Sequence, residues 1–165
     1  MFFMAKKNMK GIGGWLLFFL VVFFLSASRA FLNMLKVPLY NFFVTYFGLD
    51  MPGIARAYQI VLIVTSCILF FGYLMSAIAI LKKMKVGKSG AIATTWAGFG
   101  FAIILGIMSF FNLNTATVVY AETVRIATIF FWLETGFIWL FHLAWAILVT
   151  VYFTKSERVK NTLNI

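Results

Sequence analysis

Four long apolar runs, each near the length needed to cross hydrocarbon, leave this chain few ways to fold. They lie at about 13–32, 57–81, 90–111 and 124–153. At ~1.5 Å per residue, ~20 helical residues cross the hydrocarbon. Of 165 residues, 64% are hydrophobic and only 11% charged. That leaves too little polar surface to coat a soluble core, and the mean hydropathy is +1.02. The expectation is an all-α membrane protein: four transmembrane helices in one bundle covering residues 1–165, with the lipid bilayer as its first partner.

The charges between the runs set an orientation. Of 14 basic residues, ten fall on one side: Lys6, Lys7 and Lys10, then Lys82, Lys83, Lys85 and Lys88, then Lys155, Arg158 and Lys160. The other four are Arg29, Lys36, Arg56 and Arg125. The positive-inside rule then predicts a multi-pass plasma-membrane protein with both termini cytoplasmic. Because the net charge of +10 is spent on orientation, no nucleic-acid partner is expected.

Residues 29–56 read as a long outer loop rich in aromatic and aliphatic side chains. Leu32, Leu35, Leu39 and Phe43 recur at helical spacing, while Pro38 argues against one unbroken helix. Short helices on the outer leaflet, or a cap burying those rings in the bundle, are the two expectations.

The last run contains FFWLETGFIWLFHLAWAILV, residues 130–149, which carries Glu134 and His142. With Glu134 at zero on an ideal helix, Trp145 falls near ~20°, His142 ~80°, Thr135 ~100°, Thr128 ~120°, Trp139 ~140° and Trp132 ~160°. Leu133, Phe137, Leu140, Phe141, Ala144, Ile147 and Leu148 take the other half. This segregation predicts a protein-facing side holding Glu134 and His142, and a lipid-facing side. Their eight-residue separation gives ~12 Å of rise, so direct contact is not expected. Glu134 reads either as a proton, cation or substrate site or as a helix–helix contact with a polar residue or a basic group such as Arg29, Arg56 or Arg125. His142 reads either as a proton relay or as a neutral imidazole bonded across helices. The tryptophans read as packing groups and N–H donors. On the third run, Thr94, Gly98, Ala102 and Gly106 form a small-residue stripe suited to close helix packing.

Several chemistries lack their parts. One histidine and one cysteine cannot make a usual zinc or bis-His haem site. No nucleophile elbow or phosphate-cradling glycine loop is present. Asp50, Glu122, Glu134 and Glu157 are the only acids and are dispersed. No cofactor, no metal and no enzymatic activity are expected.

Two terminal motifs remain. GIGGWLLFF (residues 11–19) contributes Ile12, Gly13, Gly14, Trp15 and Leu16; VYFTKSERVKNTL (residues 151–163) contributes Tyr152, Phe153, Ser156, Arg158, Val159, Lys160 and Thr162. Together they resemble an uncharacterised bacterial family of small four-pass inner-membrane proteins, a domain of unknown function. The resemblance implies four spans, cytoplasmic ends and no known activity. Residues 1–28 also carry a signal-peptide pattern, basic then apolar then small; the resemblance keeps this segment in the mature protein as its first span. The order Ser-x-Arg-Val-Lys suggests docking, to the bundle base or to a partner. The functional expectation is a non-enzymatic accessory or interaction protein, with a membrane-protein partner or a homo-oligomer; the alternative is a small transporter or proton-linked channel using Glu134 and His142.

Overall fold

The structure is a computed structural model that describes residues 14–46, 53–116 and 121–163. Its elements are α1 (Trp15–Tyr46), α2 (Gly53–Leu81), α3 (Val86–Ala116), α4 (Ala121–Lys155) and the short α5 (Glu157–Leu163). Helix is the expected solution, since a lipid-embedded segment must satisfy its own backbone hydrogen bonds. Each long helix contains a candidate span: Trp15–Leu39, Ala55–Leu81, Val86–Phe111 and Phe131–Lys155. The chain is a multi-pass integral membrane protein built as an up-and-down bundle.

One expectation is corrected. The segment read as a long aromatic loop is helix as far as Tyr46, with Pro38 inside it. Pro38 removes one N–H bond, but Leu, Met and Ala around it favour helix and no glycine follows until Gly48. Leu32, Leu35 and Leu39 are exposed while Ala30 and Val37 are buried, so the helical spacing was correct and its extent too short. Side chains from Tyr40 to Tyr46, and all of 47–52, lie outside the described residues, as does the choice between an interfacial and a capping loop.

The core sits in the half of the bundle nearest the lysine-rich turn. Leu16, Phe19, Phe23, Ala77, Ile80, Ala91, Val149, Phe153, Val159 and Leu163 form one buried cluster. The turn itself closes tightly. Met84 N–H donates to Ala79 O at 2.8 Å and Lys83 N–H to Ile80 O at 3.0 Å. This is a helix-ending Schellman pattern, with Lys83 in the left-handed position at φ 56°. Glycine would sit there with less strain; lysine keeps a positive charge at the membrane surface.

The C-terminal motif has a structural use. Ser156 caps α5: its Oγ accepts from Val159 N–H at 3.4 Å, and Glu157 stands in the first turn, where an acid suits the helix dipole. Val159, Thr162 and Leu163 are buried, so α5 folds back under the bundle. Lys160 is exposed, and the Arg158 side chain lies outside the described residues. At the other terminus, Gly14 has φ 55°, Trp15 packs edge-on to Phe18 at 5.4 Å, and Gly13 lies outside the described residues.

Because α5 is held by two fully buried side chains, Leu163→Ala is expected to destabilise the protein by about 2–5 kcal/mol. Leu133→Ala, at a lipid-facing position, is expected to leave stability unchanged. Thermal unfolding of both variants in detergent micelles is the measurement, and an equal effect of the two would contradict this role for α5.

Candidate functional site

The polar half of α4 divides into two faces. Trp139 donates its Nε1–H to Ala102 O at 2.9 Å, and Trp96 donates to Thr150 Oγ1 at 3.0 Å. Trp132 packs at a tilt against Phe110 at 5.0 Å and meets Trp139 edge-on at 6.2 Å. This face of α4, centred near ~150° with Glu134 at zero, is joined to α3. Gly106 makes that possible: a Cβ built there would come within 2.9 Å of Thr135 Cγ2 and Trp139 Cζ2. Thr135 is buried against it. The tryptophans on this face are therefore fasteners between helices, as their residue type suggested.

The small-residue stripe of α3 turns as it rises. Thr94 fills the space opposite Gly72 of α2, where a Cβ would meet its side chain at 2.8 Å. Gly98 faces Tyr73 and Leu69 of α2, while Gly106 faces α4. Each four-residue step rotates ~40°, which carries the stripe from one neighbour to the other and lets α3 pack closely on both.

The second face of α4 looks toward α1, and here rings replace close backbone packing. Trp145 meets Phe18 and Phe19 at 6.4 and 5.4 Å. Tyr152 meets Phe19 at 4.7 Å, and Phe153 meets Phe19 and Phe23. These rings close the α1–α4 seam in the lysine-rich half. Among the described residues, no ring contact joins the two helices beyond Phe23 on α1 and Trp145 on α4.

Glu134 lies on this second face. It is eighteen residues, five full turns, from Tyr152 and so shares its direction. At that level it is exposed, which corrects the expectation that its side chain is packed among sister helices. The angular reading was sound to within a flank; the buried centre of α4 is near ~100°, marked by Thr135, Ala146 and Phe153. His142, at ~80°, is half-buried as expected.

The α1 side of the seam holds Arg29, one of the basic groups expected as a partner for Glu134, and Lys36, which was not singled out from sequence. Arg29 and Lys36 are both exposed. Seven residues apart, they lie on one face of α1, in line with Phe18, whose ring touches Trp145 of α4. Their level follows from the Phe19–Tyr152 contact, since the helices are antiparallel. Arg29 is ten residues beyond Phe19, and His142 is ten before Tyr152; each is ~15 Å further along. On the same register, Lys36 and Glu134, about two turns higher, fall at a similar level. The seven-residue spacing of Arg29 and Lys36 was the available signal, hidden because both had been assigned to a loop.

All four ionisable groups fall within the candidate spans. The seam thus presents charges of both signs on a laterally open face. Among the described residues, no group of three or more histidines, cysteines or acids could hold a metal ion. No family model matches the chain, and no curated protein or solved structure matches it.

Trp139→Phe removes only the donor, with an expected loss of about 1 kcal/mol. Gly106→Val forces the indole away, with an expected loss of about 1–3 kcal/mol. The double variant should cost less than the sum, because Gly106→Val already breaks the Trp139 bond. Strict additivity in unfolding measurements would refute the coupling.

Proposed function

We propose that this chain is a non-enzymatic interaction protein of the plasma membrane. It recognises another membrane polypeptide through the lateral face where α1 and α4 part. One observation carries the reading: Arg29, Lys36 and Glu134 are exposed on that face within spans whose exposed side chains are mostly apolar. A charge facing lipid costs ~2.5–3.5 kcal/mol at the bilayer centre, less toward the edge. A polypeptide that meets these groups with opposite charge removes that cost and gains specificity in the same contact. The ten-to-four charge asymmetry supports placing both termini in the cytoplasm. The terminal motifs support kinship with the bacterial four-pass family that they resemble.

The transport alternative drew on a shared inward face for Glu134 and His142. With Glu134 exposed on a flank, the two do not line one enclosed path, which favours the interaction reading.

A photo-crosslinking residue at position 36 or 134 is expected to capture a membrane polypeptide in intact cells. The same residue at Ile60 or Phe71, on the outer side of α2, is expected to capture none. Equal capture at all four positions, or capture of lipid alone, would overturn the reading. Glu134→Gln is expected to leave proton flux in reconstituted vesicles unchanged.

A further inference from the structure

The seam's charges can be matched by the seam itself. On one rim, α1 carries Arg29 and Lys36 among the exposed Leu25 and Leu32. On the other, α4 carries Glu134 beside the exposed Phe137 and Phe141, which follow it along the helix. Phe137, at 77% exposure, is the most exposed large apolar side chain of the described residues. A two-fold rotation about the membrane normal, through the mouth of the seam, lays the α4 rim of one copy against the α1 rim of the other. Such a rotation leaves every residue at its own depth. On the register of the Phe19–Tyr152 contact, Lys36 and Glu134 fall at a similar depth, so each acid then comes opposite the partner copy's base, twice. The apolar neighbours on each rim are brought together by the same operation.

We infer that the α1–α4 seam is the interface of a parallel two-fold homodimer, held by two reciprocal Glu134–Lys36 ion pairs with Phe137 and Leu32 packed beside them. This inference rests on the reading of the seam as an interaction face and names its occupant, a second copy of this chain. Isologous contact is the commonest form of self-association, and it requires a self-complementary patch of this kind. A polar contact between helices near the hydrocarbon edge is favoured where the joined helices shut out the interfacial water that would otherwise solvate and screen the groups.

Charge reversal separates pairing between copies from pairing within one copy. In a Glu134→Lys homodimer the new lysine faces the partner's Lys36 at both contacts. In a Lys36→Glu homodimer the new glutamate faces the partner's Glu134 at both. When the two variants are mixed, one contact is Glu–Lys in its natural sense and the other is the same pair reversed. Two differently tagged copies, co-expressed and purified together in mild detergent, are the assay. Self-pairing of each variant is expected to fall by about tenfold or more, and the mixed pair to return to the wild-type level. A mixed pair no stronger than either variant alone would overturn the inference, as would undiminished self-pairing of either variant.

A second measurement covers loss of folding. In a Cys67→Ala background, Lys36→Cys in one copy and Glu134→Cys in a differently tagged copy are expected to give a disulfide-linked dimer on mild oxidation. Ile60→Cys paired with Phe71→Cys on the outer side of α2 is expected to give none. Failure of the first pair to link would overturn the proposed interface. Capture at position 134 of a different polypeptide, without self-linkage, would sink the homodimer and leave the interaction reading standing; no polypeptide capture would sink both.

Discussion

Phe19 sits where α1 meets α4, with its ring against Trp145, Tyr152, Phe153 and Phe23. It is fully buried, and the bundle's closure depends on it. Lipid supplies no hydrophobic drive for helix association, so helices in a bilayer join by packing, by hydrogen bonds, or both. Here α3 uses small residues and tryptophan N–H donors to approach its neighbours closely. The α1–α4 contact uses rings, which hold two helices together at a greater separation. Both strategies appear in one molecule, and the difference between them shapes it.

That difference explains why the seam opens. Close packing at Gly72–Thr94, Gly98–Tyr73 and Gly106–Trp139 extends along most of α3. The ring contacts extend only from Phe153 to Trp145 on α4. Beyond them α1 carries Arg29, Asn33 and Lys36 toward the seam rather than further aromatics, and these do not fill space between helices as rings do. α5 reinforces the asymmetry, since it buries Val159 and Leu163 at the lysine-rich end only. One end is tied on three sides, and the other is left with a lateral face.

The architecture was legible because hydropathy over ~20 residues is a strong signal and the lysine groups punctuate it. The pattern around α4 was legible too: the apolar half is exposed and Thr135 is buried, as ideal helical geometry requires. Two things were not. Pro38 and the dense aromatics suggested a loop, whereas the backbone continues as helix through them; a single proline is a weak breaker where lipid and neighbouring helices favour the helical state. Glu134 was placed on the correct half but on the wrong part of it. A helix wheel gives direction relative to its own axis and says nothing about how far a neighbour stands at each level. Burial of a flank residue depends on that distance, which is small beside Tyr152 and large beside Glu134.

The same limit explains why the alignment of Arg29 with Lys36 escaped notice. As loop residues they were only two of the basic charges on the sparser side. On a continuous helix they become a stripe two turns long, facing the one acid that α4 exposes at the same level. A solitary exposed acid near the membrane edge has an ordinary explanation, since its carboxylate can reach interfacial water. A solitary exposed arginine can snorkel in the same way. Neither explanation accounts for the placement of opposite charges on the two rims of one opening, in matched layers, with large apolar side chains beside them. Solvation requires only that each group reach the interface. Matching in depth and side is a requirement of recognition, because only a partner that preserves depth reads it.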